Sequence, residues 1–116
     1  MKQGVQFQSI LAVRGRKGSD HVAVFALMSL GLIESLTNGL LSASDAVRAF
    51  FHADNCLFVR KKLRDHVADE IMSRGAQLPD LFDVLPVVEA QREFQHELTM
   101  MRALCFELLE KRRSVA

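Results

Sequence analysis

The most apolar stretch of the chain predicts a central helix. Residues 22–33 have the sequence VAVFALMSLGLI, and these apolar residues cover almost the whole circumference of a helix, which is typical of a buried element. Ser19 and Asp20 are good N-terminal caps, and Asn38 and Gly39 favour the left-handed conformation that ends helices. A run of about 12 apolar residues is shorter than the roughly 20 that span a membrane. The pattern therefore predicts one buried helix from Ser19 or Asp20 to about Asn38.

Two further helices are predicted after this one. The sequence SASD at residues 42–45 offers a serine cap and places an aspartate in a first turn, where the helix dipole favours it. A second helix is expected from there to Phe51, and a third from Leu57 to Arg74, with Gly75 as its stop. Residues 52–55 (HADN) lie between them. Since aspartate and asparagine often bond to their own backbone in turns, we interpret this segment as a turn.

The C-terminal third of the chain predicts a short helix followed by a long one. Residues 77–85 suit a short fourth helix, Pro86 breaks the chain direction, and the last helix runs from Val87 to about Arg112. At about 1.5 Å per residue, some 25 residues extend nearly 40 Å, more than a globule of this size is wide. The last helix carries an apolar seam at spacings of 4, 3, 4 and 3, formed by Phe94, Leu98, Met101, Cys105 and Leu108. We expect this seam to cross the core or to meet a second subunit.

The first 18 residues differ from the rest of the chain. Val5 and Phe7 alternate with Gln6 and Gln8, which is a strand-like period, but a lone strand has no partner elsewhere. We interpret residues 1–18 as a basic arm, either flexible or pairing with another subunit, and 19–116 as a single helical domain. The predicted fold is all-α, a compact bundle-like array of four to five helices with a long C-terminal helix.

Composition agrees with one soluble domain. The chain has 116 residues, 49% of them hydrophobic and 25% charged. This is enough apolar surface for a core that needs no disulfide or structural metal. Its net charge of +1 is unevenly spread, because residues 75–110 hold two basic against seven acidic groups. The two cysteines and the absence of a pattern typical of an export signal predict free thiols and a cytoplasmic location.

A metal site is the first chemical hypothesis. His52, Asp54, Cys56, His66 and Glu70 are all ligand types, but zinc usually takes its ligands in close local pairs that are missing here. The spacing of Glu93 and His96 occurs in di-iron bundles, which need a second copy of the motif. We therefore expect no metal and no bound cofactor.

Nucleophilic catalysis is also poorly supported. Cys56 and Cys105 lie among large apolar residues, whereas reactive thiols occupy partly exposed, electropositive surroundings. The glycines are scattered singly and form no phosphate-binding loop. We predict that the protein is not an enzyme and has no catalytic residue.

Nucleic-acid binding is the alternative function. The two helices around residues 44–74 loosely resemble a helix-turn-helix unit, and an anion or nucleic-acid surface would be formed by Arg60, Lys61, Arg64, Arg14 and Arg16. Acidic residues on the same helix and a near-neutral chain oppose this, because nucleic-acid binders are usually basic over a whole face.

A non-enzymatic module for protein–protein interaction or regulation is the favoured prediction. An overlong last helix and several methionines provide adaptable apolar surface. We expect an unidentified protein partner and a homodimer through the C-terminal helix, with Phe94, Leu98, Met101 and Leu108 as the dimer surface.

Overall fold

Six α-helices build the part of the chain that the structure describes. The structure is a computed structural model that describes residues 6–14 and 18–115, with side chains for 6–10 and 21–111. Its helices are α1 (Phe7–Arg14), α2 (Gly18–Thr37), α3 (Ala43–Ala49), α4 (Ala53–Phe58, continued by a π-helical turn over Val59–Leu63), α5 (His66–Val84) and α6 (Val87–Val115). The prediction of an all-α fold with a long C-terminal helix is confirmed.

Helix α6 packs against the two other long helices, α5 on one flank and α2 on the other. An ion pair between Arg102 and Glu34 joins α6 to α2, and the rings of Phe82 and Phe94 meet edge to face at 5.3 Å between α5 and α6. With 29 residues, α6 is about 43 Å long, which matches the longest dimension of the molecule, 44 Å.

The apolar seam of α6 lies in the core, as predicted, and this corrects the predicted dimer surface. Met101, Cys105 and Leu108 are fully or almost fully buried within the single chain. Phe94 and Leu98 are buried as well. Because these side chains already contact α2 and α5, the four residues expected at a dimer surface are not available to a second subunit.

Helix α2 is buried on one side only. Phe25, Ala26, Ile33 and Leu36 belong to the core, whereas Leu27 is exposed on the opposite side. Its predicted limits agree with the structure to within two residues, because α2 covers Gly18–Thr37 and already includes Ser19 and Asp20. The sequence predicts a helix covered around almost its whole circumference, but Gly31 and Glu34 are exposed together with Leu27.

The segment before α2 is a helix, although its alternating pattern is strand-like and led us to interpret it as an arm. Phe7 is fully buried, and its ring lies 5.7 Å from that of Phe25 and 5.8 Å from that of Phe50. Burial of one aromatic side chain in this cluster outweighs a strand-like alternation of four residues, since a strand would have no partner. The interpretation of this stretch as a free arm is therefore wrong for Phe7. Residues 1–5 and 15–17 lie outside the described residues.

The predicted third helix is divided, and the predicted fourth is part of its second half. The π-helical turn ends at Arg64, which adopts a left-handed φ of 54°. Asp65 then caps α5, accepting hydrogen bonds from the backbone N–H groups of Val67 (2.9 Å) and Ala68 (3.1 Å). Helix α5 continues through Gly75, which we expected to end it. Gly75 is needed for a different reason, because a Cβ atom there would lie 2.5 Å from the ring of Phe51.

Candidate interaction surface

The predicted basic surface is only partly assembled. Arg60 and Lys61 are exposed on the π-helical turn, and Arg64 is exposed at its end. The Nε atom of Arg60 lies 3.4 Å from a carboxylate oxygen of Asp69, so one of the three positive charges is paired. The side chain of Arg14 lies outside the described residues, and so does Arg16.

The HADN segment has a structural role. His52 caps α4, its Nδ1 accepting a hydrogen bond from the backbone N–H of Asn55 at 3.4 Å. The buried amide of Asn55 donates to the carbonyl of Phe50 at 2.9 Å and accepts from the backbone N–H of Phe7 at 3.1 Å. Asn55 therefore ties α1 to the end of α3. The predicted turn is shorter than expected, because α4 already begins at Ala53.

The groups considered for catalysis or metal binding do not converge in the described part of the chain. No group of three or more histidine, cysteine, aspartate or glutamate side chains is arranged there to hold a metal ion. Burial raises the pKa of the Cys105 thiol to about 12 and also raises the pKa of Cys56. Both cysteines are free thiols. Neither thiol has the lowered pKa of an activated nucleophile.

Several exposed apolar side chains lie where α5 turns into α6. Val84, Val87 and Val88 are exposed to 77%, 74% and 70%, and Phe82 to 41%. We call the three valines the apolar corner. Large apolar side chains with this exposure so close together in the chain are typical of an interaction site. The sequence contained a signal for it, the run FDVLPVV at residues 82–88, which we had assigned only to a helix end and a break.

A cleft of about 540 Å³ lies between α5 and α6, next to the apolar corner. Its apolar lining is Leu78, Leu81, Val84 and Leu85. Its charged lining is Glu70, Asp80, Glu93, Glu97 and Arg74. One positive against four negative groups gives a local charge of −3. We call this the acidic cleft, and Val84 belongs both to it and to the apolar corner.

Arg74 joins the two walls of the acidic cleft. Its Nε lies 2.9 Å from a carboxylate oxygen of Glu70, and its Nη1 lies 2.9 and 3.1 Å from the two carboxylate oxygens of Glu97. Its hydrogen bonds to Glu70 and then to Glu97 raise the pKa of Arg74. The guanidinium is thus occupied by two carboxylates, and Asp80 and Glu93 remain at the exposed rim of the cleft.

The side of α6 that faces away from the core is a third surface. It exposes the apolar residues Met100, Ala103 and Phe106 in its C-terminal half. Four charged residues flank them along the helix: Glu89, Arg92, Glu107 and Lys111. Among the described residues, these four side chains take part in no ion pair. We call the seven residues the outer face of α6.

These features define an all-helical protein whose distinctive surfaces are apolar and charged patches. The chain belongs to a family described as "Protein of unknown function (DUF3969)", whose sequence profile matches residues 17–116. Searches of curated proteins and of solved structures found no match. Phe7 lies outside the matched range although it belongs to the core. None of the described helices has the length and apolarity needed to cross a membrane.

Proposed function

We propose that the protein is a non-enzymatic interaction module that self-associates as an antiparallel homodimer through the outer face of α6. The observation that carries this proposal is the order of charges on that face. Glu89 lies eleven residues before Met100 and Lys111 lies eleven residues after it. An antiparallel pair of α6 helices centred on Met100 therefore places Glu89 of each protomer opposite Lys111 of its partner.

Arg92 and Glu107 follow this pattern to within one residue. Arg92 lies eight residues before Met100 and Glu107 lies seven residues after it. Two-fold symmetry repeats each contact, so the proposed interface contains two copies of each opposite-charge pair. In a parallel arrangement the same residues would face their own copies, with like charges opposed. Charge therefore selects the antiparallel orientation.

The centre of the proposed interface is apolar. Met100 would meet its own copy, and the exposed methyl group of Ala103 leaves room for the two helices to approach closely. Phe106 adds exposed aromatic surface along the same face. Exposed ion pairs contribute little, about 0.2–1 kcal/mol each, so we expect a dimer in measurable equilibrium with its monomer.

Light scattering over a range of protein concentrations tests this proposal. The chain has no Trp or Tyr, so concentration is best taken from refractive index. We expect the mass to rise from that of one 13.0 kDa chain towards twice that value. Arg92→Glu would place a glutamate opposite Glu107 and should raise the dimer dissociation constant about tenfold, or about 1.4 kcal/mol.

A charge swap is the matched control. Combining Arg92→Glu with Glu107→Arg should restore the dissociation constant to within about threefold of the original, because opposite charges then face each other again. A monomer at all concentrations would refute the proposed dimer, and so would a dimer whose dissociation constant is unchanged by Arg92→Glu alone. Co-eluting nucleic acid, visible as a high ratio of absorbance at 260 nm to that at 280 nm, would instead favour the basic turn at Arg60, Lys61 and Arg64 as the functional surface.

A further inference from the structure

We propose that the acidic cleft and the apolar corner together form a groove that binds a cationic amphipathic helix of a partner protein. This inference rests on the protein being an interaction module, but it does not require the homodimer. The groove lies between α5 and α6 and continues past their junction, whereas the outer face of α6 points away from the core.

Charge determines the kind of partner. The cleft carries four carboxylates and one guanidinium, and Arg74 is already bound by Glu70 and Glu97. The carboxylates of Asp80 and Glu93, one on each wall, are left at the exposed rim. A segment with lysine or arginine side chains directed at the two rims would pair with them, while an acidic segment would be repelled.

The apolar lining determines the shape of the partner. Leu81 and Val84 of α5 line the cleft, and the exposed side chains of Val87 and Val88 follow Val84 closely along the chain. An extended apolar strip flanked by charge is the counterpart of a helix with one apolar face and a basic margin. Two antiparallel helices also present a shallow groove between them, into which the ridge of a third helix packs. The volume of about 540 Å³ falls within the range of side-chain and ligand pockets.

A designed peptide is a direct probe of this groove. The peptide would have about 18 residues, or about 27 Å as a helix, with leucines and one tryptophan on one face and lysines on the other. Because the protein has no Trp, the tryptophan fluorescence reports on the peptide alone. We expect the emission to shift to shorter wavelength with a micromolar dissociation constant. A matched peptide with glutamate in place of each lysine should bind at least about tenfold more weakly.

Variants of exposed residues locate the binding site. Asp80→Lys combined with Glu93→Lys should weaken the lysine peptide at least about tenfold, and Val84→Asp should weaken it about as much by interrupting the apolar strip. Glu107→Arg adds half as much positive charge on the outer face of α6 and should alter binding less than about threefold. All four positions are exposed, so circular dichroism should show an unchanged helical fold.

The results that would overturn the groove differ from those that would overturn the dimer. Binding of the lysine peptide that survives the Asp80→Lys, Glu93→Lys double variant would refute the groove, as would equal binding of the glutamate peptide. If light scattering shows a dimer of the original protein but a monomer of this double variant, a second copy of the chain occupies the groove. Loss of the dimer in Arg92→Glu with peptide binding intact would leave the groove supported.

Discussion

Single residues fix the close contacts of this fold, and glycine shows how one residue type serves different purposes. Gly75 lies inside α5, where glycine normally weakens a helix by about 1 kcal/mol relative to alanine. It is nevertheless required there, because the Phe51 ring occupies the space of a side chain. Gly31 also lies inside a helix, but a Cβ atom there would meet nothing within 4 Å.

These two glycines give a prediction with opposite signs. Gly75→Ala should lower the free energy of unfolding by about 1–2 kcal/mol, since the strain of displacing Phe51 exceeds the gain in helix propensity. Gly31→Ala, the control, should raise it by up to about 1 kcal/mol. Urea denaturation followed by circular dichroism measures both. Stabilisation by both variants would mean that Phe51 moves aside without cost.

At the scale of the elements, α1 is the least expected part of the structure. It has eight residues and would be marginal alone. Two interactions hold it in place: the burial of Phe7 among three aromatic rings and the hydrogen bond from its backbone N–H to Asn55. An aromatic side chain can thus recruit a short segment into the core of a neighbouring domain.

The contribution of α1 to stability can be measured by removing one side chain. Phe7→Ala should lower the free energy of unfolding by about 3–5 kcal/mol, because it leaves a cavity among the rings of Phe25, Phe50 and Phe58. The neighbouring Gln8 is exposed, and Gln8→Ala should change the value by less than about 0.5 kcal/mol. If both variants change the free energy of unfolding by a similarly small amount, the segment is a free arm after all.

At the scale of the whole molecule, the core keeps ionisable groups neutral and so makes stability depend on pH. Cys105 is fully buried between α6 and its neighbours, and burial raises its pKa from 9.0 to about 12. Above pH 9 the unfolded chain loses this proton, while the folded chain keeps it. The folded state therefore binds more protons in this range, and stability falls as the pH rises.

Alkaline denaturation provides the test. The free energy of unfolding should decrease between pH 9 and 11 with a contribution from Cys105 of up to about 1.4 kcal/mol per pH unit. Cys105→Ala should be less stable at pH 7 because of its cavity, but its curve should be flatter over the same range. Identical slopes for the two proteins would mean that the thiol ionises in the folded state.

From the sequence alone, the presence of a helix was easier to predict than the residues at which it begins and ends. The period of apolar residues located α2 and the seam of α6. The sequence SASD marked the start of α3, where the Ser42 hydroxyl accepts from the N–H of Asp45. The same reasoning placed a helix end at Gly75 and an arm around Phe7. Both errors have one cause: the deciding partner, Phe51 in one case and the cluster of rings in the other, is distant in sequence or depends on the final packing.

The candidate site was still harder to predict from the sequence than the helices were. The predicted basic residues Arg60, Lys61 and Arg64 do lie on one turn, but the pairing of Arg60 with Asp69 depends on how the π-helical turn folds back on α5. The acidic residues of the cleft are spread from Glu70 to Glu97 in the sequence. They converge only because α5 and α6 form a hairpin.

The sequence by itself determined that the protein is helical, because the 3.6-residue period and the caps are local properties of the chain. It also determined which face of α6 is apolar. The tertiary structure decided which apolar residues remain outside: it buried the seam expected at a dimer surface and exposed Val84, Val87 and Val88 at the turn between α5 and α6. The physical reason is that burial is a property of how helices enclose one another, and local periodicity contains no information about which faces will find a partner.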